Sequence, residues 1–147
     1  MTGLRLSGLM ACAVAALLLA AQRADADGLL AGLYRIEQSP IVDGIAAPVQ
    51  RSMRCLTAEA VADLDKTFSP VSRTTNSACE RTEHDLTAQR LKWRLQCTGQ
   101  LNMDIAGEFV FDTERYTATL STEASMAGQV MHRSRVTIEA QRVGDCP

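Results

Sequence analysis

Where the cysteines fall constrains this chain more than any other feature. Cys12 lies inside an apolar N-terminal run, and Cys55, Cys79, Cys97 and Cys146 are spread through everything that follows. Without the leader an even set remains, the arithmetic of an exported domain held by two disulfides. The competing readings are free thiols or a metal site, but zinc prefers closely spaced C-x-x-C pairs and the chain has none. Of the connectivities open to four cysteines, symmetry favours Cys79–Cys97. The two are centred on Ala88, where the chain must turn between adjacent strands. Cys55, at the end of an early strand, then pairs with Cys146 beside the C-terminus.

Residues 1–26 have the parts of a secretory signal peptide: Arg5 near the start, an apolar run from Ala11 to Ala21, and Ala24-Asp25-Ala26 as a cleavage site. The run is shorter than the roughly twenty residues that span a bilayer. Acylation of Cys12 is disfavoured because the apolar run follows that cysteine instead of preceding it. Cleavage after Ala26 leaves 27–147 as a single domain, in keeping with its length. The whole chain carries a net charge of −2 and only six aromatics, three Phe, two Tyr and one Trp. A mildly acidic chain with scattered cations lacks the footprint of a nucleic-acid binder. No second apolar segment approaches bilayer length.

Most of the domain alternates with period two. In Leu101–Phe111, the residues Leu101, Met103, Ile105, Phe109 and Phe111 share a face, which predicts a half-buried strand with a bend or bulge at Gly107. Tyr116–Ala124 alternates too. A turn about Thr113-Glu114 sets Phe111 opposite Tyr116 and Asp112 opposite Arg115, although Thr-Glu is not a favoured two-residue turn. Strands are also expected at Leu33–Gln38, Val49–Leu56, Cys79–Leu86, Arg90–Cys97 and Val130–Val143. Pro40, Gly44 and Pro48 mark a loop between the first two. One helix is expected after Thr57, with Val61, Leu64 and Phe68 on its apolar side and Pro70 ending it. Ser69–Ser77 is a polar loop. The fold class is mainly β: an antiparallel meander of about seven strands forming a strongly curved sheet or partly closed barrel, with one short helix plugging one end.

The residues offer little catalytic chemistry. Gly-x-Ser-x-Gly, His-Glu-x-x-His and a glycine-rich phosphate loop are absent. Glu83-His84-Asp85 reads as a solvated strand face, because a strand turns His84 away from both acids. His132 has no companions at metal spacing, and Arg133 and Arg135 read as exposed strand residues with anion binding as the alternative. Met53 and Met103 sit at core-facing phases, where methionine fills gaps; a soft-metal site is disfavoured. The expectation is therefore a domain with no catalytic residues, metal or cofactor. Its aromatic face, Tyr34, Trp93, Phe109, Phe111 and Tyr116, either lines a cavity for a small apolar ligand or forms a filled core. The alternative function is protein–protein interaction with an envelope protein, including inhibition of a secreted protease, through a sheet edge or the Ser39–Pro48 segment.

Gly32-Leu33-Tyr34-Arg35-Ile36 opens the domain and Cys55-Leu56-Thr57 leads into the helix. Trp93 lies between Cys79 and Cys97, a Cys-x-Gly follows at Cys97–Gly99, and the chain closes on Gly144-Asp145-Cys146-Pro147. In these pieces the chain resembles domain-of-unknown-function family 3617, small exported proteins of Gram-negative bacteria. It departs from the family pattern at Tyr34, where tryptophan is usual, and in a Ser39–Pro48 segment without a methionine- and proline-rich run. The turn around Thr87 also lacks a glycine. The resemblance implies a periplasmic, β-rich, disulfide-bonded domain and carries no catalytic residues over.

Overall fold

The computed structural model describes residues 28–69 and 77–147; the leader and residues 70–76 of the polar loop lie outside the described residues. Eight strands form one antiparallel sheet: β1 (Gly32–Val42), β2 (Ile45–Ala46), β3 (Gln50–Leu56), β4 (Ser77–Leu86), β5 (Arg90–Gly99), β6 (Asn102–Phe111), β7 (Arg115–Met126) and β8 (Gln129–Gly144). Their order is β2-β1-β8-β7-β6-β5-β4, with β3 pairing the same flank of β1 as β2. The sheet is not closed, since β3 pairs only with β1 and β4 only with β5; of the expected strongly curved sheet or partly closed barrel, the structure shows a mainly β antiparallel sheet of eight strands among the described residues.

The β6–β7 hairpin has the register that the alternation dictates, Phe111 opposite Tyr116. Its unfavoured Thr-Glu turn is held by Asp112, whose backbone N–H donates to the Arg115 carbonyl (2.9 Å). The Asp112 carboxylate accepts from the Thr113 N–H (2.7 Å) and from Arg115 Nε (3.0 Å).

The segment after Gln38 is strand, not loop. β1 runs through Pro40 to Val42 and turns at Asp43-Gly44 into β2, an extra short strand. Pro40 is tolerated because of where it falls. Its carbonyl accepts from the Ala47 N–H (2.9 Å), so its nitrogen faces that same flank. There β3 has ended at Gln38↔Gln50 and β2 begins at Ile41↔Ala46, leaving no ladder position that needs a donor.

The expected helix is two. Thr57 caps α1 (Ala58–Ala62) and Asp63 caps α2 (Leu64–Phe68), accepting from the Ala60 N–H (3.2 Å) and the Lys66 N–H (2.9 Å) respectively. Asp63 holds non-helical backbone (φ −130°, ψ 79°), so it ends the first helix as it starts the second. This break brings Phe68 onto the sheet, where it is buried.

All six aromatics are buried on one face of the sheet. Phe68 lies 5.1 Å from the Phe109 ring, 5.3 Å from Phe111 and 5.1 Å from Tyr116, and Tyr34 lies 5.9 Å from Tyr116. Met53 is more than half exposed on the opposite face, contrary to its expected core phase, because it pairs with Arg35 and not with the Tyr34 side of β1.

Gly107 is not a bulge; the β6 register runs unbroken on both sides. It sits opposite Trp93, and a Cβ there would overlap the indole, only 2.4 Å from Cζ2 and 2.5 Å from Cε2. The bulge lies instead at Thr82. From the turn, Leu86↔Leu91 to Glu83↔Arg94 keep one register, which would carry Cys79 opposite Thr98. Thr82 is left unpaired, the register shifts by one, and Cys79 faces Cys97.

Two disulfides result, Cys79–Cys97 (Cα–Cα 3.9 Å) and Cys55–Cys146 (Cα–Cα 5.4 Å). The second ties the end of β3 to the residues just after β8.

Candidate functional site

The cavity expectation rests on five aromatics, and the structure brings all five into one cluster. Three of them, Tyr34, Phe111 and Tyr116, are packed within the aromatic core; Trp93 and Phe109 also border open space. That space is a hollow of about 520 Å³ beside the end of α2. Phe68, Trp93, Ile105, Phe109 and Leu120 make its wall apolar, and Lys66, Ser69 and Thr122 supply polar groups. Ile105 and Leu120 come from the β6 and β7 face as it runs past the helices, and both are only partly buried. Phe68 joins this wall although it is not one of the five aromatics that strand alternation singles out. Its signal was available: an aromatic on the apolar side of a short helix in a chain with few aromatics.

Trp93 is fixed at the wall by a hydrogen bond from its indole Nε1 to the Phe68 carbonyl (3.1 Å). Phe68 is held in turn through Asp65. Ser69 Oγ donates to Asp65 Oδ1 (2.6 Å), Arg81 donates to Oδ2 (3.1 Å), and His84 Nε2 lies 3.1 Å from Oδ1. Burial pushes the Asp65 carboxyl up, but the hydrogen bonds from Ser69, Arg81 and His84 outweigh it and leave the group below its usual range. The hydroxyl and the imidazole both address the carboxylate instead of each other, so this cluster clamps α2 to β4 and is not a nucleophile–base pair. Within Glu83-His84-Asp85, His84 does turn away from Glu83 as a strand dictates, and its partner is Asp65 of α2. His84 shares a face with Trp93, whereas Glu83 pairs with Lys92 (2.6 Å) on the other side.

Tyr34 is fully buried, and its hydroxyl donates to the Leu30 carbonyl (2.7 Å). Burial raises its pKa to about 12. Nearby, Arg142 Nε donates to the Ala31 carbonyl (2.9 Å) and its guanidinium contacts Asp145, so the residue before β1 meets those after β8 beside the second disulfide.

The other face of the sheet is polar and laced with ion pairs: Arg94–Asp104 (3.1 Å), Arg133–Glu123 (2.7 Å) and Arg51–Glu37 (2.8 Å) among them. Arg133 is thus neutralised, while Arg135 makes no ion pair among the described residues. His132 lies 3.1 Å from Asp43. Among the described residues no three His, Cys, Asp or Glu side chains come together as a metal site.

These features define a small, disulfide-bonded antiparallel β domain with a helix pair on its apolar face. A family model described as "Protein of unknown function (DUF3617)" matches residues 29–146, and the chain belongs to that family. No curated protein and no solved structure matches it.

Proposed function

We propose that this is an exported, periplasmic, non-enzymatic binding domain whose ligand is a small apolar molecule held against Phe68, Trp93 and Phe109. The hollow beside α2 carries the reading. Its volume of about 520 Å³ is in the range of small-molecule sites, and its wall is mainly apolar with a few polar groups at hand. A ligand there would cover Ile105 and Leu120, which the helices leave partly exposed. Lys66 at the opening suits a ligand with a polar or anionic end.

The test uses the neutral dye N-phenyl-1-naphthylamine, titrated into the purified protein and read by fluorescence. Saturable uptake is expected. Leu120→Trp, which fills the hollow from β7, is expected to weaken uptake by about tenfold or more while the thermal melt stays cooperative. No uptake, or uptake unchanged in the filled variant, overturns the reading. For the location, export predicts a periplasmic product whose N-terminal sequence starts at Asp27; a product retaining residues 1–26 in the cytoplasm contradicts it.

A further inference from the structure

The clamp on α2 depends on an irregularity in β4. Asp65 is held by Arg81 (3.1 Å) and by His84 (3.1 Å), which are three residues apart in sequence. In a regular strand, residues at an odd spacing point to opposite faces, and one of the two would be lost to the helix. They share a face because Thr82 is left unpaired between them. His84 stands opposite Trp93 and Arg81 opposite Leu95, and both partners are buried on the apolar side. The same shift sets Cys79 opposite Cys97. One bulge thus serves both the disulfide and the clamp.

The register without the bulge follows from the turn. With Glu83 kept opposite Arg94, Thr82 would oppose Leu95, Arg81 would oppose Gln96 on the polar face, and Cys79 would oppose Thr98. That arrangement recovers the pairing that Thr82 lacks, and it loses the Arg81–Asp65 contact. β4 pairs only with β5 among the described residues, so no further strand there holds it in either register. Against the slip stands Glu80, which would turn to the apolar side. It would take the place of Cys79, however, which is only partly buried. A Cys79–Cys97 bond excludes the slipped register outright, since there the two cysteines face opposite sides of the sheet.

We propose that Cys79–Cys97 is the latch of the clamp: with the two cysteines as thiols, β4 lies in the unbulged register with Arg81 turned away from α2, and forming the bond draws in the bulge and seats Arg81 on Asp65. In that step the two thiols give up two protons and two electrons to the disulfide of an oxidoreductase, which leaves as a dithiol. α2 carries Phe68, whose carbonyl receives the Trp93 indole N–H, so the latch also sets the wall of the hollow. Its effect on ligand uptake rests on the function proposed for the hollow; the register does not.

Three proteins decide it by NMR, all keeping the Cys55–Cys146 bridge: the oxidised wild type, Cys79→Ala combined with Cys97→Ala, and that double variant with Thr82 deleted. Cross-strand proton contacts report the register. The wild type is expected to show Arg81 beside Leu95. The double variant is expected to show Thr82 beside Leu95 and Arg81 beside Gln96, with the Trp93 indole N–H resonance displaced. Deleting Thr82 brings Arg81 opposite Leu95 with no bulge, so the indole resonance is expected to return towards its wild-type position although the disulfide is still missing. Affinity for N-phenyl-1-naphthylamine is expected to fall several-fold in the double variant and to recover with the deletion. A double variant that keeps Arg81 beside Leu95, an indole resonance that the deletion does not restore, or a double variant that unfolds with or without Thr82 would each overturn the proposal, because the disulfide would then be a staple only. Wild type that takes up no dye would instead sink the ligand reading, while the registers still decide the latch.

Discussion

Replacing Gly107 by alanine tests the central packing relation of the core, because β6 passes so close beneath Trp93 that a Cβ would overlap the indole. Trp93 is 2% exposed, and its Nε1 hydrogen bond to Phe68 is its polar tie to the helix. The ring must move or the strand must bow. Overpacking of this kind costs about 1–3 kcal/mol. Displacing the indole also weakens a buried hydrogen bond worth about 1 kcal/mol net. The expected destabilisation is about 3 kcal/mol, which for a domain of this size lowers Tm by on the order of 10 °C. Thermal melts followed by near-ultraviolet circular dichroism measure it, with Trp93 emission reporting the displacement. Ala106→Ser, one residue away on the opposite face, is expected to stay within about 0.5 kcal/mol of wild type. A double-mutant cycle isolates the cause: in a Trp93→Leu background the alanine has no ring to meet and its cost should nearly vanish. A Gly107→Ala protein that melts within about 2 °C of wild type, or an undiminished cost in the leucine background, would refute the reasoning.

The two disulfides should differ in worth. Replacing Cys55 and Cys146 by alanine opens the loop with a sequence separation of 91 and should cost about 4–5 kcal/mol, against about 3 kcal/mol for Cys79 and Cys97 with a separation of 18; urea unfolding of both pairs checks the order. Asp65 has a depressed folded-state pKa, so its stabilisation is present above the ordinary carboxylate value and is lost as pH falls through the lower folded value. Asp65→Asn should therefore lower stability at neutral pH and flatten the acid limb of a stability–pH curve measured by urea titration. Tyr34 has the opposite sign. Its pKa rises to about 12 on burial, so its stabilisation is intact below the unfolded value near 10 and is lost as pH rises towards 12. Tyr34→Phe should cost about 1 kcal/mol at neutral pH and weaken the alkaline transition, leaving the part due to Tyr116, whose pKa burial also raises.

What the sequence made legible was local and periodic. Alternation placed Phe111 opposite Tyr116 and put Trp93, Phe109 and Tyr34 on one face, because the strand period is fixed by backbone geometry. The misses share a different cause. Pro40 and Gly44 read as loop punctuation, yet Asp43-Gly44 between Val42 and Ile45 is itself a hairpin signal, and Pro40 is harmless because no ladder position on that flank needs its missing donor. Gly107 in mid-strand reads as a backbone device, whereas its cause is a side chain on the neighbouring strand. Thr82 could not be identified as a bulge, since nothing in its own residue type demands one; the demand comes from Cys79 and Cys97. The hollow depends on where α2 is clamped, and Asp65, Arg81 and His84 meet only after the sheet has formed.

The strand made last lies in the middle of the sheet. Because β8 separates β1 from β7, the first hairpin and the β4–β7 meander share no ladder until the final residues are present. The two pieces are joined in the sheet only through β8, which pairs with β7 from Gln129 onward and with β1 from Ser134 onward, and the Cys55–Cys146 bridge closes just beyond it. Joining of the two pieces thus waits on β8, however early their own hairpins form. A chain cut short before Gln129 would lose the bond between its halves altogether, and not merely an edge.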